Sequence, residues 1–169
     1  MKLRLLLFEE CNRKCRGCCN KDWDLVNLPI CDNYMGYDQI LLTGGEPLLH
    51  PFIVAKAVAE IRQQTDTLIY LYTAKVDELT TLSNILSIVD GITVTLHTNR
   101  DVIPFLLFNS GLRLIERLTK GKSLRLNIFH NVVHPTMPLP LWNVKRNIIW
   151  DKNCPLPEDE VFMKYNGGE

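Results

Sequence analysis

The feature that most constrains the fold is a regular alternation of short apolar runs with longer segments of helical periodicity. Apolar runs rich in β-branched and aromatic residues are typical of strands, and they occur here at Leu3–Phe8, Gln39–Thr43, Thr67–Tyr72, Ile92–Leu96 and Ser123–Phe129. Strands that alternate with helices are joined by right-handed crossovers and form a parallel sheet. Because about five to six strands are too few to close an eight-stranded barrel, we expect an α/β fold with a partial, open parallel β/α barrel.

Helices are predicted between these runs. Pro51–Gln64 has apolar residues at helical spacing and proline at its start, as an amphipathic helix does. A second helix is predicted from Asp77, where acidic residues favour a helix start, to about Asp90. A third helical stretch, from about Asp101 to Lys120, is expected to break at Pro104 and Gly111, since proline and glycine disfavour helix interiors.

Length and composition limit the class of protein. The chain has 169 residues, 46% of them hydrophobic, and its 19 basic side chains balance 19 acidic ones. This predicts one main domain with a substantial core and argues against a nucleic acid or an anionic membrane as partner. The first apolar run is shorter than a signal-peptide core and no run reaches the length of a membrane span, so we expect a cytoplasmic protein.

The C-terminal part differs from the rest because it is rich in proline. We predict a minimal core domain at residues 1–134 and a proline-rich extension at residues 135–169 that packs on the core or stays partly loose. Within the extension, the segment WNVKRNIIW is a candidate for an added strand.

Four of the six cysteines lie within nine residues, at Cys11, Cys15, Cys18 and Cys19. In a reducing compartment, clustered cysteines indicate metal binding or catalysis more often than disulfides. The first three have the spacing C-x3-C-x2-C. Zinc sites usually draw on two well-separated pairs of ligands, whereas three thiolates can hold three corners of a four-iron, four-sulfur (4Fe–4S) cluster and leave one iron open.

A second motif, GGEP, follows the second predicted strand. Gly44–Gly45 would let the backbone approach a ligand closely, Glu46 can accept charge-assisted hydrogen bonds from an ammonium group, and Pro47 stiffens the turn into the next helix. In parallel sheets, ligands bind at the carboxyl ends of the strands. We therefore expect the cysteine-rich segment, the GGEP motif, Thr73 and His97 to converge there.

The C-x3-C-x2-C spacing followed by the GGEP motif resembles the radical S-adenosylmethionine (radical SAM) enzymes. The resemblance implies a radical SAM core, in which Cys11, Cys15 and Cys18 hold a 4Fe–4S cluster with one open iron and are the catalytic residues. It implies an oxidoreductase that cleaves S-adenosylmethionine reductively to a 5′-deoxyadenosyl radical. The cofactor-binding residues that it implies are Gly17, Cys19, Gly44, Gly45, Glu46, Pro47, Thr73 and His97.

A closer resemblance joins CRGCCNKDW, LIYLYTAKVDEL and VDGI to the activating proteins of anaerobic ribonucleotide reductase, over about Leu5–Val94. It implies a protein substrate, a glycyl radical enzyme, and a flavodoxin-like or other electron donor. The chain departs from that group at Cys19, where the group has an aromatic residue, and in the added fifth strand and proline-rich tail.

The residues leave alternatives open. The function can be that of a small-molecule radical SAM enzyme of the deazaguanine-forming synthase type, or of a non-catalytic iron–sulfur or zinc-binding module. Cys19 can be a small apolar filler, and His97 can be a structural residue at a strand end. Cys31 and Cys154 are expected to be plain buried or half-exposed residues.

Overall fold

The computed structural model describes residues 1–15, 17–151 and 153–167. Eight strands in these residues form one sheet in which all neighbouring strands are parallel. The strands are β1 (Lys2–Leu6), β2 (Ile30–Cys31), β3 (Gln39–Thr43), β4 (Leu68–Thr73), β5 (Gly91–Leu96), β6 (Ser123–Phe129), β7 (Asn143–Ile148) and β8 (Glu160–Tyr165). The helices are α1 (Pro51–Gln64), α2 (Leu79–Ile88), α3 (Val102–Leu114) and α4 (Glu116–Thr119), and short 3-10 turns cover Cys19–Lys21, Pro47–Leu49 and Asn99–Asp101.

The strand order across the sheet is β2-β8-β1-β3-β4-β5-β6-β7. From β3 to β7 each strand lies beside its predecessor in the chain, so right-handed crossovers place α1, α2 and α3 on the same face of the sheet. The predicted α/β class with a parallel sheet is confirmed. The predicted number of five to six strands is too low, because eight strands join the sheet in the part of the chain that the structure describes.

Local sequence patterns correctly predict several of the helices and strands. The bounds of α1, β3 and β6 agree with the prediction. Helix α1 buries Val54, Ala57, Val58 and Ile61, which lie at the i, i+3, i+4 and i+7 spacing of one helical face. This face packs on the sheet, whose core strands are buried and apolar.

The predicted break in the third helix is wrong. Helix α3 passes through both Pro104 and Gly111 and ends at Leu114. Pro104 lies in the first turn, where the backbone N–H has no partner within the helix and proline is tolerated. A Cβ at Gly111 would lie 2.6 Å from the Cδ2 atom of Leu79 on α2, so a larger residue there would require the Leu79 side chain to shift.

The C-terminal extension contributes strands to both sides of the sheet. Strand β7, predicted within WNVKRNIIW, pairs with β6. Strand β8, which the sequence pattern did not reveal, lies between β2 and β1. The boundary at residues 134 and 135 stays a prediction, but residues on both sides of it share one sheet.

Trp142 anchors the extension before β7. Its indole N–H donates to the Oδ1 atom of Asn109 at 2.9 Å, and Asn109 is fully buried on α3. The Trp142 ring also meets Phe105 edge-on, with ring centroids 5.1 Å apart. These contacts fix the path of the extension over α3. No helix among the described residues is both long and apolar enough to cross a membrane.

Candidate functional site

The carboxyl ends of β3, β4 and β5 surround a cavity of about 130 Å³, which we call the cysteine cavity. It is lined by most of the predicted site residues, namely Cys11, Cys15, Cys18, Gly44, Gly45, Glu46, Pro47, Thr73 and His97. The expected convergence of separate motifs at this edge of the sheet is therefore observed. Gly17 and Cys19 are not among the residues that line it.

Glu46 is a buried carboxylate on the wall of the cysteine cavity, with 2% of its surface exposed. Its Oε1 atom accepts from the Thr73 hydroxyl at 2.6 Å and from the Leu48 amide at 3.1 Å. Its Oε2 atom accepts from the Ala74 amide at 2.8 Å. Among the described residues no cation forms an ion pair with it. A buried carboxylate fixed in this way provides a negative charge for a cationic ligand.

Gly44 and Gly45 let two backbone segments of the protein approach each other closely, and their predicted close approach to a ligand stays a prediction. A Cβ at Gly44 would lie 2.7 Å from the carbonyl oxygen of Phe8, and a Cβ at Gly45 would overlap the carbonyl of Glu10. The Gly45 amide donates to the Phe8 carbonyl at 2.9 Å, and the Glu46 amide donates to that of Glu10 at 2.9 Å. The two glycines thus let the GGEP loop (residues 44–47) pack against the chain after β1.

The three cysteines of the motif are free thiols. Cys11 is exposed, whereas Cys15 and Cys18 are half-buried. Burial raises the pKa of the Cys11 and Cys15 thiols above the ordinary value because it disfavours the charged thiolate. No three histidine, cysteine or carboxylate side chains in the described parts of the chain lie close enough to share one metal ion.

Arg13 connects the cysteine loop (residues 11–23) to two strand ends. Its guanidinium donates to the Oδ1 atom of Asp101 at 2.8 Å and to the Ala74 carbonyl at 2.7 Å. Asp101 is 5% exposed, and its Oδ2 atom accepts from the amides of His97 and Thr98, both at 2.9 Å. Arg13 is therefore held by two strand ends and is not simply solvated.

Asn20 and Lys21 add two further contacts. The Asn20 side-chain amide donates to the Gly44 carbonyl at 2.9 Å, which links the cysteine loop to the GGEP loop. The Lys21 ammonium donates to the Cys15 carbonyl at 3.2 Å. The two loops of the candidate site therefore touch each other directly.

His97 lies between Cys15 and the C-terminal extension. Its Nδ1 atom is 3.8 Å from the Cys15 Sγ atom, and its ring stacks on that of Trp150 with centroids 5.3 Å apart. Burial, with a further contribution from the Arg13 charge, lowers the pKa of His97 to about 4. The imidazole is thus neutral near pH 7. Trp150, which sequence reasoning missed, lines the cysteine cavity from a segment far along the chain.

Gly17 and Cys19 make contacts to the extension. Gly17 has a φ of +74°, which favours glycine, and a Cβ there would lie 3.0 Å from the Trp150 ring. Cys19 forms a disulfide with Cys154, with Cα atoms 5.5 Å apart. The readings of Cys19 as an apolar filler and of Cys154 as a plain residue are therefore wrong. Cys31 is buried and free, as expected. Cofactor contacts of Gly17 and Cys19 stay predictions.

The chain was compared with known proteins. No protein-family model matches it, and no curated protein matches it at a significant level.

Proposed function

We propose that this chain is a radical SAM iron–sulfur enzyme with a glycyl radical enzyme as its substrate. The observation that supports it most is the cysteine cavity, where three free thiols of one loop and the buried carboxylate of Glu46 line the same space. When bound, a reduced 4Fe–4S cluster and S-adenosylmethionine would supply the reductive cleavage that generates a hydrogen-abstracting radical.

The donor set fits such a cluster. Thiolates are the ligands that iron–sulfur clusters prefer, and Cys11, Cys15 and Cys18 would each hold a different corner. Zinc sites usually draw on two well-separated pairs of ligands, whereas these three cysteines share one short loop with the spacing C-x3-C-x2-C. The arrangement therefore favours the cluster over the zinc-binding module.

Glu46 would bind the ammonium group of S-adenosylmethionine. An ionised carboxylate offers about four acceptor sites, and three are used by Leu48, Thr73 and Ala74. The existing hydrogen bonds orient the carboxylate before a ligand arrives, and the loop that carries it packs against the Phe8–Glu10 backbone after β1. Preorganised charge of this kind binds a cationic group without further ordering of the protein.

The sheet is compatible with this assignment. Strands β1 and β3–β7 follow one another in the order of the chain, which is the winding of a β/α barrel. We propose that these six strands form the partial barrel of a radical SAM core. Strands β8 and β2 would then be additions beside β1.

In the proposed cytoplasmic location the Cys19–Cys154 disulfide would be open to reduction. The reaction needs an external electron donor, flavodoxin-like or of another kind. A protein substrate fits a site at the carboxyl ends of the strands, since a partner can insert its own loop there. The small-molecule enzyme remains the second candidate, because a larger cavity adjoins the cysteine cavity.

Anaerobic reconstitution with iron and sulfide tests the proposal. We expect about four irons per chain and formation of 5′-deoxyadenosine after reduction with S-adenosylmethionine present. Cys15→Ser should lose the cluster, Glu46→Gln should keep it but lose most of the 5′-deoxyadenosine, and Cys31→Ser is the matched control that should keep both. Binding of zinc alone, or no 5′-deoxyadenosine from a loaded protein, would contradict the proposal.

A second experiment tests the substrate. The reconstituted protein is incubated with candidate anaerobic reductases, and electron paramagnetic resonance detects a glycyl radical on the partner. Failure with all candidates while 5′-deoxyadenosine still forms would reject the activating role and retain the radical SAM assignment.

A further inference from the structure

A second cavity, of about 840 Å³, adjoins the cysteine cavity; we call it the basic cavity. It lies between the cysteine loop, the start of α3 and the residues that follow β6. Arg13, Cys15, His97 and Trp150 line both cavities. A molecule in the basic cavity would therefore sit directly beside one of the proposed cluster ligands.

Cations dominate the lining of the basic cavity. Lys14 and Arg100, which come from two different loops, both line it and are both exposed. Among the described residues neither forms an ion pair. Two unpaired cations that line the same cavity make its potential positive, which attracts an anion.

The single carboxylate of the lining cannot neutralise these cations. Asp101 is 5% exposed, and its Oδ1 atom already pairs with Arg13. Its Oδ2 atom accepts from the amides of His97 and Thr98. The charges of Lys14 and Arg100 thus stay uncompensated in the described structure.

Arg13 adds a donor without a partner. Its Nε atom is buried and has no hydrogen-bond partner among the described residues, while its other two nitrogens donate to Asp101 and Ala74. A buried donor left unpaired costs free energy, and an acceptor in the basic cavity could recover it only if the Arg13 side chain shifted to expose this atom. This observation is independent of the charge on Lys14 and Arg100.

From this geometry we propose that the basic cavity is an anion site that receives a carboxylate or phosphate group of the substrate. Lys14 and Arg100 bind the anion, and the site holds the adjoining part of the substrate next to Cys15. As a substrate site it rests on the proposed function, but anion binding itself does not. The anionic group belongs to an acidic segment of a protein or to a small molecule.

The test measures anion binding to the full chain without metal, by isothermal titration calorimetry. The probes are inorganic phosphate, succinate and a hexaglutamate peptide. The test variant is Lys14→Gln with Arg100→Gln. The matched control is Arg113→Gln with Lys120→Gln, which removes two exposed cations near the opposite ends of the strands. Single variants Lys14→Gln and Arg100→Gln replace the double variant if it does not fold.

We expect at least one probe to bind, with affinity reduced about tenfold or more in the test variant and less than about twofold in the control, since a charge-assisted contact is lost only in the first. Binding of the peptide alone assigns the anion to a protein, and binding of phosphate or succinate alone assigns it to a small molecule. No binding by the wild-type chain, or equal losses in both variants, would overturn the proposal.

The calorimetric test of the anion site can fail or succeed independently of the test of the proposed function. Calorimetry uses the metal-free chain, whereas 5′-deoxyadenosine formation needs the reconstituted one. Anion binding without 5′-deoxyadenosine formation would leave the anion site and reject the radical enzyme. The reverse result would reject the anion site alone.

Discussion

The two loops of the candidate site are held in place in different ways. The GGEP loop is fixed by backbone contacts, because Gly45 and Glu46 donate to the carbonyls of Phe8 and Glu10 and the glycines leave no space for a Cβ. The described backbone–backbone hydrogen bonds of the cysteine loop stay local. It reaches the rest of the protein through the side chains of Arg13, Cys15, Asn20 and Trp23 and the disulfide at Cys19.

The GGEP loop is thus held by backbone contacts that belong to the fold, whereas the cysteine loop is held mainly by side-chain contacts. The carboxylate of Glu46 is positioned by the sheet itself. The thiols are positioned mainly by side-chain contacts, so the cysteine loop is free to adjust to the metal group that we propose. Substitutions in the two loops should therefore have different consequences, which the following predictions specify.

The largest effect is expected from loss of the disulfide. Cys19 and Cys154 are separated by 135 residues, and closing so long a loop restricts the unfolded chain, which is worth about 2–5 kcal/mol. Cys19→Ser with Cys154→Ser should lower the free energy of urea unfolding by this amount. A thiol reductant should have the same effect on the wild type and none on the variant; an unchanged wild type would argue against the disulfide.

The second-largest effect is expected for Gly45→Ala. It should lower the free energy of unfolding by on the order of 3 kcal/mol, because the new methyl group meets the Glu10 backbone. The free energy of urea unfolding measures it. Gly121→Ala is the control: its φ is +75° but no atom lies within 4 Å of the added Cβ. It should cost only about 1 kcal/mol. Equal losses would show that the close backbone contact is unimportant.

Arg13→Gln removes the ion pair with Asp101. The Arg13 side chain is 24% exposed and the Asp101 side chain is 5% exposed. We expect a loss of about 1–2 kcal/mol in unfolding free energy, since the pair is only partly screened by solvent, and faster proteolysis within the cysteine loop. Lys2→Gln breaks an exposed ion pair with Asp159 and should change neither the unfolding free energy nor the rate of proteolysis within the cysteine loop. Unchanged proteolysis of the Arg13 variant would mean that Arg13 does not hold the loop.

The smallest effect is expected for Asn20→Ala. It removes one hydrogen bond between the two loops, worth about 1 kcal/mol. Asn27→Ala removes an exposed local contact to Asp24 and should cost less. Hydrogen exchange at the Gly45 and Glu46 amides should stay slow in the Asn20 variant, because the GGEP loop does not depend on that bond. Fast exchange there would remove the distinction between the loops.

Most of the correctly predicted helices and strands follow from sequence patterns within one short segment. The helix α1 and the strands β3 and β6 have the predicted bounds, because their apolar periodicity is complete within each segment. Strand β8 was not predicted because its sequence, EVFMKY, mixes charged and apolar residues. It forms a strand by pairing with β1. Its partner lies at the other end of the chain, beyond the reach of any local window.

The site was predictable to a similar degree. The two motifs were placed together correctly since the carboxyl ends of parallel strands meet at one edge. Contacts between distant residues could not be predicted: Arg13 and Asp101 are 88 residues apart, and Trp150 enters from the extension. Nor does the sequence show that Gly44 and Gly45 accommodate the Phe8–Glu10 backbone.

The position of β1 has a consequence for biosynthesis. Its two neighbours in the sheet are β3 and β8, so one partner leaves the ribosome soon after β1 and the other only much later. Until β8 has emerged, one edge of the nascent sheet keeps unpaired N–H and C=O groups that can pair with another chain. Completion of this edge thus waits for the synthesis of residues 160–165, and slow synthesis of the segment before them would prolong exposure to aggregation or chaperone capture.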